Sequence, residues 1–340
     1  MAFHGGFTSE ETPVRIGIIG IGFQARGIFM PCLSVMTGVE LAALASRREE
    51  TARAAEKKFK VPCYVGWPKL VADPNVDAVF VATPSPMLEE IACAALENGK
   101  HVFVETQGIM TPEGGRRLRQ LEQETGKVIQ FGYSRVYAPI YVKMKGILEE
   151  WRKRDPGPRL WLLRYYYGEH LMIHLLVYMN GFVKAVQGVG GERGQAFLYE
   201  FDNGDVASVV FTKHITLLAN MERLEVSSPT AALAANNFFE LRFLGELSET
   251  YSYEGRFDSV NETVWNPSFT APYFSGSSQY LHGTQPELEA FIDHIRRGGR
   301  PRANVDTVEH TMYVKRAARD ALATGKRIVI KDYIAAHQPT

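Results

Sequence analysis

A few residues of this chain have types and spacings that suit acid–base work on a small molecule. They are His170 and His174, the run Glu105-Thr106-Gln107, and Tyr133 with Arg135. Imidazole titrates near neutrality, so a histidine can give or take a proton at working pH. Positions four apart share one face of a helix, which would aim both rings the same way. Such a pair can serve as general acid–base groups, as metal ligands or as satisfied interior histidines. The order Glu169-His170-x-x-x-His174 is not the His-Glu-x-x-His zinc arrangement and no third ligand is evident, so no metal is expected. Glu105 closes an apolar run, where it either handles cofactor, substrate and proton or caps the helix that Pro112 begins. The Thr106 hydroxyl can donate one hydrogen bond but is no acid at neutral pH. Tyr133 can supply a proton and Arg135 can hold an anionic group; packing and solvated charge are the plainer alternatives. Tyr165, Tyr166 and Tyr167 alternate faces on a strand, so Tyr165 and Tyr167 are the pair able to line a substrate pocket.

These residues need a scaffold, and the chain begins one at Val14-Arg-Ile-Gly-Ile-Ile-Gly20-Ile-Gly22-Phe23-Gln24-Ala25. The apolar run reads as a buried parallel strand. Gly20-x-Gly22-x-x-Ala25 after it permits a tight turn and a close approach of backbone to a diphosphate, favoured by the N-terminus of the next helix. Apolar strands and helices then alternate. Strands are expected at Val39–Ala45, Cys63–Val65, Asp77–Ala82, His101–Val104 and Val128–Phe131. Helices are expected up to about Met36 (kinked at Pro31), over Glu49–Lys60, Met87–Glu97 and Pro112–Thr125, with Thr111 as the last one's N-cap. That alternation implies βαβ units, a parallel sheet covered on both faces and ligands at the strands' carboxyl ends. Gly20, Gly22, Phe23, Gln24, Ala25, Ser46, Arg47, Arg48, Thr83, Pro84, Glu105 and Thr106 all fall there, which makes them the expected cofactor-binding set. No acidic residue follows the second strand to bind an adenosine 2′-hydroxyl. Ser46, Arg47 and Arg48 stand there instead and suit a 2′-phosphate, so NADP(H) is expected over NAD(H). The alternative is that the two arginines merely open a solvated helix.

From Tyr133 the pattern changes to strands: Arg159–Tyr167, Gln195–Phe201, Asp205–His214, Glu222–Ser227 and Phe238–Phe243. Asp202-Asn203-Gly204-Asp205 marks a hairpin. Helices are expected over Tyr137–Trp151, Glu287–Arg297 and Val308–Ala323. The expected fold is therefore α/β, a doubly wound parallel sheet over residues 1–132, followed by an α+β domain over 133–340 with a mostly antiparallel open sheet. Lys plus Arg equals Asp plus Glu at 38 each, which gives no electrostatic case for nucleic acid or an anionic membrane surface. No apolar segment reaches membrane-spanning length, the first residues lack a signal-peptide core, and the three cysteines form no Cys-x-x-Cys pair. A cytoplasmic protein with reduced thiols is expected.

The run Arg15-Ile-Gly-Ile-Ile-Gly-Ile-Gly, with Val79-Phe-Val-Ala-Thr-Pro, Ala95-Leu-Glu-Asn-Gly-Lys-His-Val leading into Glu105, and Phe201-Asp-Asn-Gly, resembles the Gfo/Idh/MocA family of NAD(P)-dependent oxidoreductases. The resemblance implies hydride transfer to or from a small cyclic substrate, a sugar derivative or heterocyclic intermediate. It also implies a homodimer or homotetramer formed through the open sheet. Family members usually end the fifth strand in Glu-Lys-Pro, with the lysine as a principal catalytic group; here Thr106 replaces it and cannot supply a labile ammonium proton. The histidine usual after Thr-Pro is missing from Ser85-Pro86-Met87-Leu88. A glycine-rich loop before the family's Asp and His helix is also missing, and His174 and His170 fall near those two positions. Biliverdin reductases and thiazolinyl imine reductases, relatives without the lysine, imply that other proton donors can serve: here His170, His174, Tyr133, Glu105 or an ordered water. A protein of another class, a cofactor-binding sensor, scaffold or partner subunit without chemistry, is the alternative. A third is the redox-neutral use of NAD seen in some family glycosidases.

Overall fold

The computed structural model describes residues 12–84, 87–105, 111–165, 168–192, 194–212, 222–245, 262–267 and 277–337. Thr106 and Tyr167, two of the expected site residues, lie outside that set. The chain divides into two compact units, one holding residues 12–134 and 277–309 and the other 135–267 and 310–337.

In the first unit six strands pair in parallel: β1 (Val14–Ile19), β2 (Val39–Ser46), β3 (Cys63–Val65), β4 (Ala78–Val81), β5 (His101–Val104) and β6 (Ile129–Phe131). Their order is β3-β2-β1-β4-β5-β6, so the chain direction across the sheet reverses between β1 and β4. That is the doubly wound order of dinucleotide-binding domains, and the reversal point is where such sheets open a crevice. The helices are α1 (Met30–Val35), α2 (Glu49–Phe59), α3 (Pro68–Val71), α4 (Leu88–Glu97) and α5 (Pro112–Thr125). The Thr111 hydroxyl accepts from the Gly114 N–H at 3.0 Å, so the expected N-cap is formed. The Glu89 carboxylate of α4 accepts from the same threonine hydroxyl at 2.9 Å and ties the two helices together.

The kink expected at Pro31 takes the form of a wide π-type turn over Ala25–Phe29, closed by the Met30 N–H on the Ala25 carbonyl. Proline at 31 has no N–H to continue an α ladder and crowds the carbonyl one turn earlier, so the widened turn absorbs it. The turn places Phe29 inside a cluster with Phe80, Phe103 and Phe291, with ring centroids 5.1–5.7 Å apart. These edge-on and tilted contacts pack the glycine-turn helix and a late helix on the sheet.

In the second unit α6 (Pro139–Arg154) and α7 (Glu169–Asn180) accompany a sheet of nine strands among the described residues. These are β7 (Leu160–Tyr165), β8 (Val183–Gly190), β9 (Gly194–Phe201), β10 (Val206–Thr212), β11 (Arg223–Ser227), β12 (Ala232–Asn236), β13 (Glu240–Leu244), β14 (Glu262–Trp265) and β15 (Ile328–Val329). Pairing is antiparallel except for the parallel neighbours β7 and β10. Gly204, at φ +87°, makes the expected turn between β9 and β10. Along β7 burial alternates strictly: Trp161, Leu163 and Tyr165 point into the core, whereas Leu160 and Leu162 are 65% and 56% exposed. Val189, Leu198 and Val210 are also exposed, so one sheet face is covered and the other is bare and apolar. The remaining helices are α8 (Ser277–Leu281) and α9 (Thr284–Arg297) in the first unit, α10 (Val305–Thr324), which runs from the first unit into the second, and α11 (Ile330–His337) in the second. Among the described residues no helix is long and apolar enough to cross a membrane.

Candidate functional site

The glycine turn lies where the sheet order reverses. Gly20 follows β1 at φ +96°, and a side-chain carbon added there would stand 2.5 Å from the Ala82 carbonyl oxygen at the end of β4. The approach is fixed on both sides, by the Gly20 N–H on Ala45 at 3.0 Å and the Ala82 N–H on Ile19 at 2.8 Å. Glycine is therefore required twice over, for the backbone angle and for the space. Gly22 differs: a carbon added there meets nothing within 4 Å, so its backbone faces open room. Phe23 is 78% exposed beside it, and Ala25 is fully buried where the helix turns back onto the sheet.

At the end of β2 the Ser46 hydroxyl accepts from the Arg48 N–H at 3.3 Å and fixes the start of α2. Arg47 and Arg48 are exposed, and among the described residues no hydrogen bond or ion pair engages either guanidinium. At the end of β4 the Thr83 hydroxyl is buried without a partner among the described residues, and Pro84 beside it is exposed. A bare backbone at Gly22, a Thr83 hydroxyl without a partner among the described residues and two exposed guanidinium groups stand at the carboxyl ends of one sheet's strands, with room and donors of the kind a dinucleotide's phosphates take.

Glu105 directly follows β5, its N–H bonded to the Val81 carbonyl at 3.0 Å. Its carboxyl is enclosed by the Gln24 side-chain amide, which hydrogen-bonds it, and by Gly132, where an added carbon would lie 3.0 Å from Oε2. Burial pushes the Glu105 carboxyl up to about 7, against a smaller downward pull from Gln24. The sequence placed Glu105 and Gln24 in one site as separate contacts. Their pairing, across 81 positions, carries no signal in the chain order.

The other expected residues are more deeply committed. Tyr133 is fully buried in the first unit, its N–H held by the Glu287 carboxylate at 2.5 Å. In the second unit Arg135 bonds the buried Glu222 at 3.1 Å and lies 4.6 Å over the Phe238 ring. The Tyr141 hydroxyl donates to that same Glu222. His174 is buried with its Nδ1 3.1 Å from the Thr311 hydroxyl, and His170, one turn earlier on α7, is half-buried. Tyr165 is buried at 3% exposure against Phe211, with its phenol pushed well up by burial and by the Glu169 charge. Glu169 is itself raised by burial, opposed by Arg319 and Lys315. Sequence reasoning missed Glu169, Glu222 and Glu287; each is an isolated acid whose partners come from distant segments, so no spacing announces it.

Fold order, glycine turn and strand-end residues together define a doubly wound domain of the dinucleotide-binding kind. Residues 14–133 match the model of the GFO_IDH_MocA oxidoreductase family, NAD-binding Rossmann fold. Over 138 residues the chain is 33% identical to an uncharacterized oxidoreductase, YdgJ, of Escherichia coli K12, a stretch that covers 40% of this chain and 39% of that protein. It is 32% identical over 140 residues to the inositol 2-dehydrogenase/D-chiro-inositol 3-dehydrogenase of Halalkalibacterium halodurans, covering 40% of each. The chain thus spans about two fifths of the length of the curated relatives it matches. The fold likeness extends further. A levoglucosan dehydrogenase solved with NADH and levoglucosan superposes with a TM-score of 0.78 at 17% identity, over 94% of this chain and all of that one.

Proposed function

We propose that this chain is an NADP(H)-dependent oxidoreductase. It would move a hydride to or from a C=O, C=N or C=C carbon of a small cyclic substrate, a sugar derivative or heterocyclic intermediate. Within its family it is an atypical member, with Glu105-Thr106-Gln107 where the usual pattern has a lysine. The observation that carries the reading is the free Arg47–Arg48 pair at the carboxyl end of β2, on the same sheet edge as the open backbone at Gly22. Inositol and levoglucosan dehydrogenases among the relatives and fold neighbours support the substrate class.

The bound nicotinamide supplies hydride chemistry, and the protein supplies orientation and a proton. Gly20, Gly22, Phe23, Gln24 and Ala25 would hold the diphosphate and Ser46, Arg47 and Arg48 would take the 2′-phosphate, with Thr83 and Glu105 following β4 and β5 on the same sheet. Proton exchange falls to a group other than lysine, drawn from Glu105, His170, His174 and Tyr133. The exposed apolar residues Leu160, Leu162, Val189, Leu198 and Val210 support a homodimer or homotetramer through the open sheet. The test is a fluorescence titration with NADPH and NADH, followed by NADPH oxidation over a panel of cyclic ketones, sugar lactones and imines. Tighter NADPH binding with turnover of a panel member is expected. Preference for NADH refutes the cofactor assignment. NADPH binding with no turnover across the panel turns the reading to a sensor or partner subunit.

A further inference from the structure

Glu105 lies at the end of β5 and Gln24 in the helical turn that follows β1, and a hydrogen bond joins them. Gln24 belongs to the turn that would hold the dinucleotide's diphosphate. Glu105 directly follows β5 and is one of the groups from which proton exchange in the proposed site is drawn. We propose that Glu105 is the acid–base group of this site, and that Gln24 positions it so that dinucleotide binding at the 20–25 turn draws one proton onto its carboxyl. The inference rests on the NADP(H) reading and extends it.

The geometry leaves few competitors. The carboxyl is bounded by the Gln24 amide from the glycine turn, the Val81 carbonyl end of β4 beneath its N–H, and the Gly132 backbone after β6. Among the described residues no charged side chain acts on it, so its ionisation is set by enclosure and by that one amide. A group so placed, with a carboxyl held near pH 7, responds strongly to a new charge nearby. A diphosphate on the turn adds negative charge on the Gln24 side and disfavours the carboxylate. An amide suits both forms: its N–H donates to the carboxylate, and its carbonyl accepts from the acid. The proton then serves the reaction. The carboxyl O–H bond breaks as an O–H or N–H bond forms on the substrate atom beside the carbon that receives the hydride, and solvent returns a proton to the carboxylate. A neutral carboxyl is a competent donor where a threonine is not.

The experiment is isothermal titration calorimetry of the full-length protein with NADPH at pH 7.5, in buffers of different ionisation enthalpy, beside fluorescence measurement of Kd from pH 6 to 9. Proton uptake is read as wild type minus Glu105→Gln, which cancels the titration of the 2′-phosphate. The difference is expected to be a net uptake, and the wild-type Kd to rise above pH 7 by up to about tenfold per pH unit relative to the variant. Gln24→Leu removes a donor that favours the carboxylate, so the pH of greatest uptake, measured with NADPH raised to saturate the variant, should move upward; a merely structural glutamine would not shift it. Equal proton counts in wild type and Glu105→Gln, with NADPH bound by both, overturn the inference and leave the cofactor reading standing. Failure of the wild type to bind NADPH at all overturns both.

Discussion

Replacing Gly20 by alanine tests the glycine turn most directly, and the structure sets the size of the effect. At φ +96° a side-chain carbon is disfavoured by about 1–2 kcal/mol before any contact is counted. The added carbon then meets the Ala82 carbonyl oxygen at 2.5 Å. Restoring an ordinary contact requires the ends of β1 and β4 to part by about 1 Å. The bonds from Ala82 to Ile19 at 2.8 Å and from Gly20 to Ala45 at 3.0 Å resist that movement. Overpacking of this kind typically destabilises by about 1–3 kcal/mol, so the total is about 3 kcal/mol. For a unit of this size that lowers Tm by about 6–12 °C, readable by circular dichroism or calorimetry. Gly22→Ala is the matched control. Its new carbon touches no protein atom, so Tm should stay within about 2 °C. NADPH affinity should nevertheless fall at least about tenfold, because the carbon fills the room left for the diphosphate. If Gly20→Ala melts with the wild type and binds NADPH equally well, the close strand-end contact and the turn built on it are both wrong.

Replacing Arg47 and Arg48 together with alanine should weaken NADPH binding by about tenfold or more and leave NADH nearly untouched, since an exposed charge-assisted bond to phosphate contributes about 1–2 kcal/mol; equal losses for both cofactors would refute the assignment. Arg135→Met strands the buried Glu222 carboxylate and should destabilise the second unit by about 3 kcal/mol in urea. Adding Glu222→Gln should recover part of that loss, and simple additivity would show that the pair is uncoupled. His101 and His310 are both pushed down to about 4 by burial, so each is neutral in the folded state and ionises more readily unfolded. The stability they protect is present above pH 6.5 and is lost as pH falls through 4, by up to about 3 kcal/mol each. Urea melts at pH 7 and 4.5 should show the loss, and His310→Gln, which keeps an acceptor for Val183, should flatten it.

Most of the first unit was legible in the sequence because its signals are local. Apolar runs, Thr111-Pro112 and Asn98-Gly99 announce strand and helix limits, and β3, β5 and α5 fall where the pattern put them. The second unit was less legible. β8 and β12, rich in glycine and alanine, lack a β-branched run, and the pairing in register with β9 and β11 is what makes them strands. The paired edge positions Ser46, Arg47, Thr83 and Glu105 could be read because strand ends in a parallel sheet converge by rule. What could not be read is which acids meet which partners. Gln24 reaches Glu105, Arg135 reaches Glu222, and Tyr133 rests on Glu287 through folding alone.

The wide turn at Ala25–Phe29 also bears on how this chain should be compared with others. It holds one residue more than an α turn, closed as it is from Met30 back to Ala25. Each residue advances an α-helix by about 100°, so every side chain from Met30 onward is rotated by about that much from its place in an uninterrupted helix. A one-residue gap, rather than any substitution, therefore relates this helix to a regular one. Alignments drawn without that gap would assign Cys32 and Leu33, which are buried here, to the wrong face.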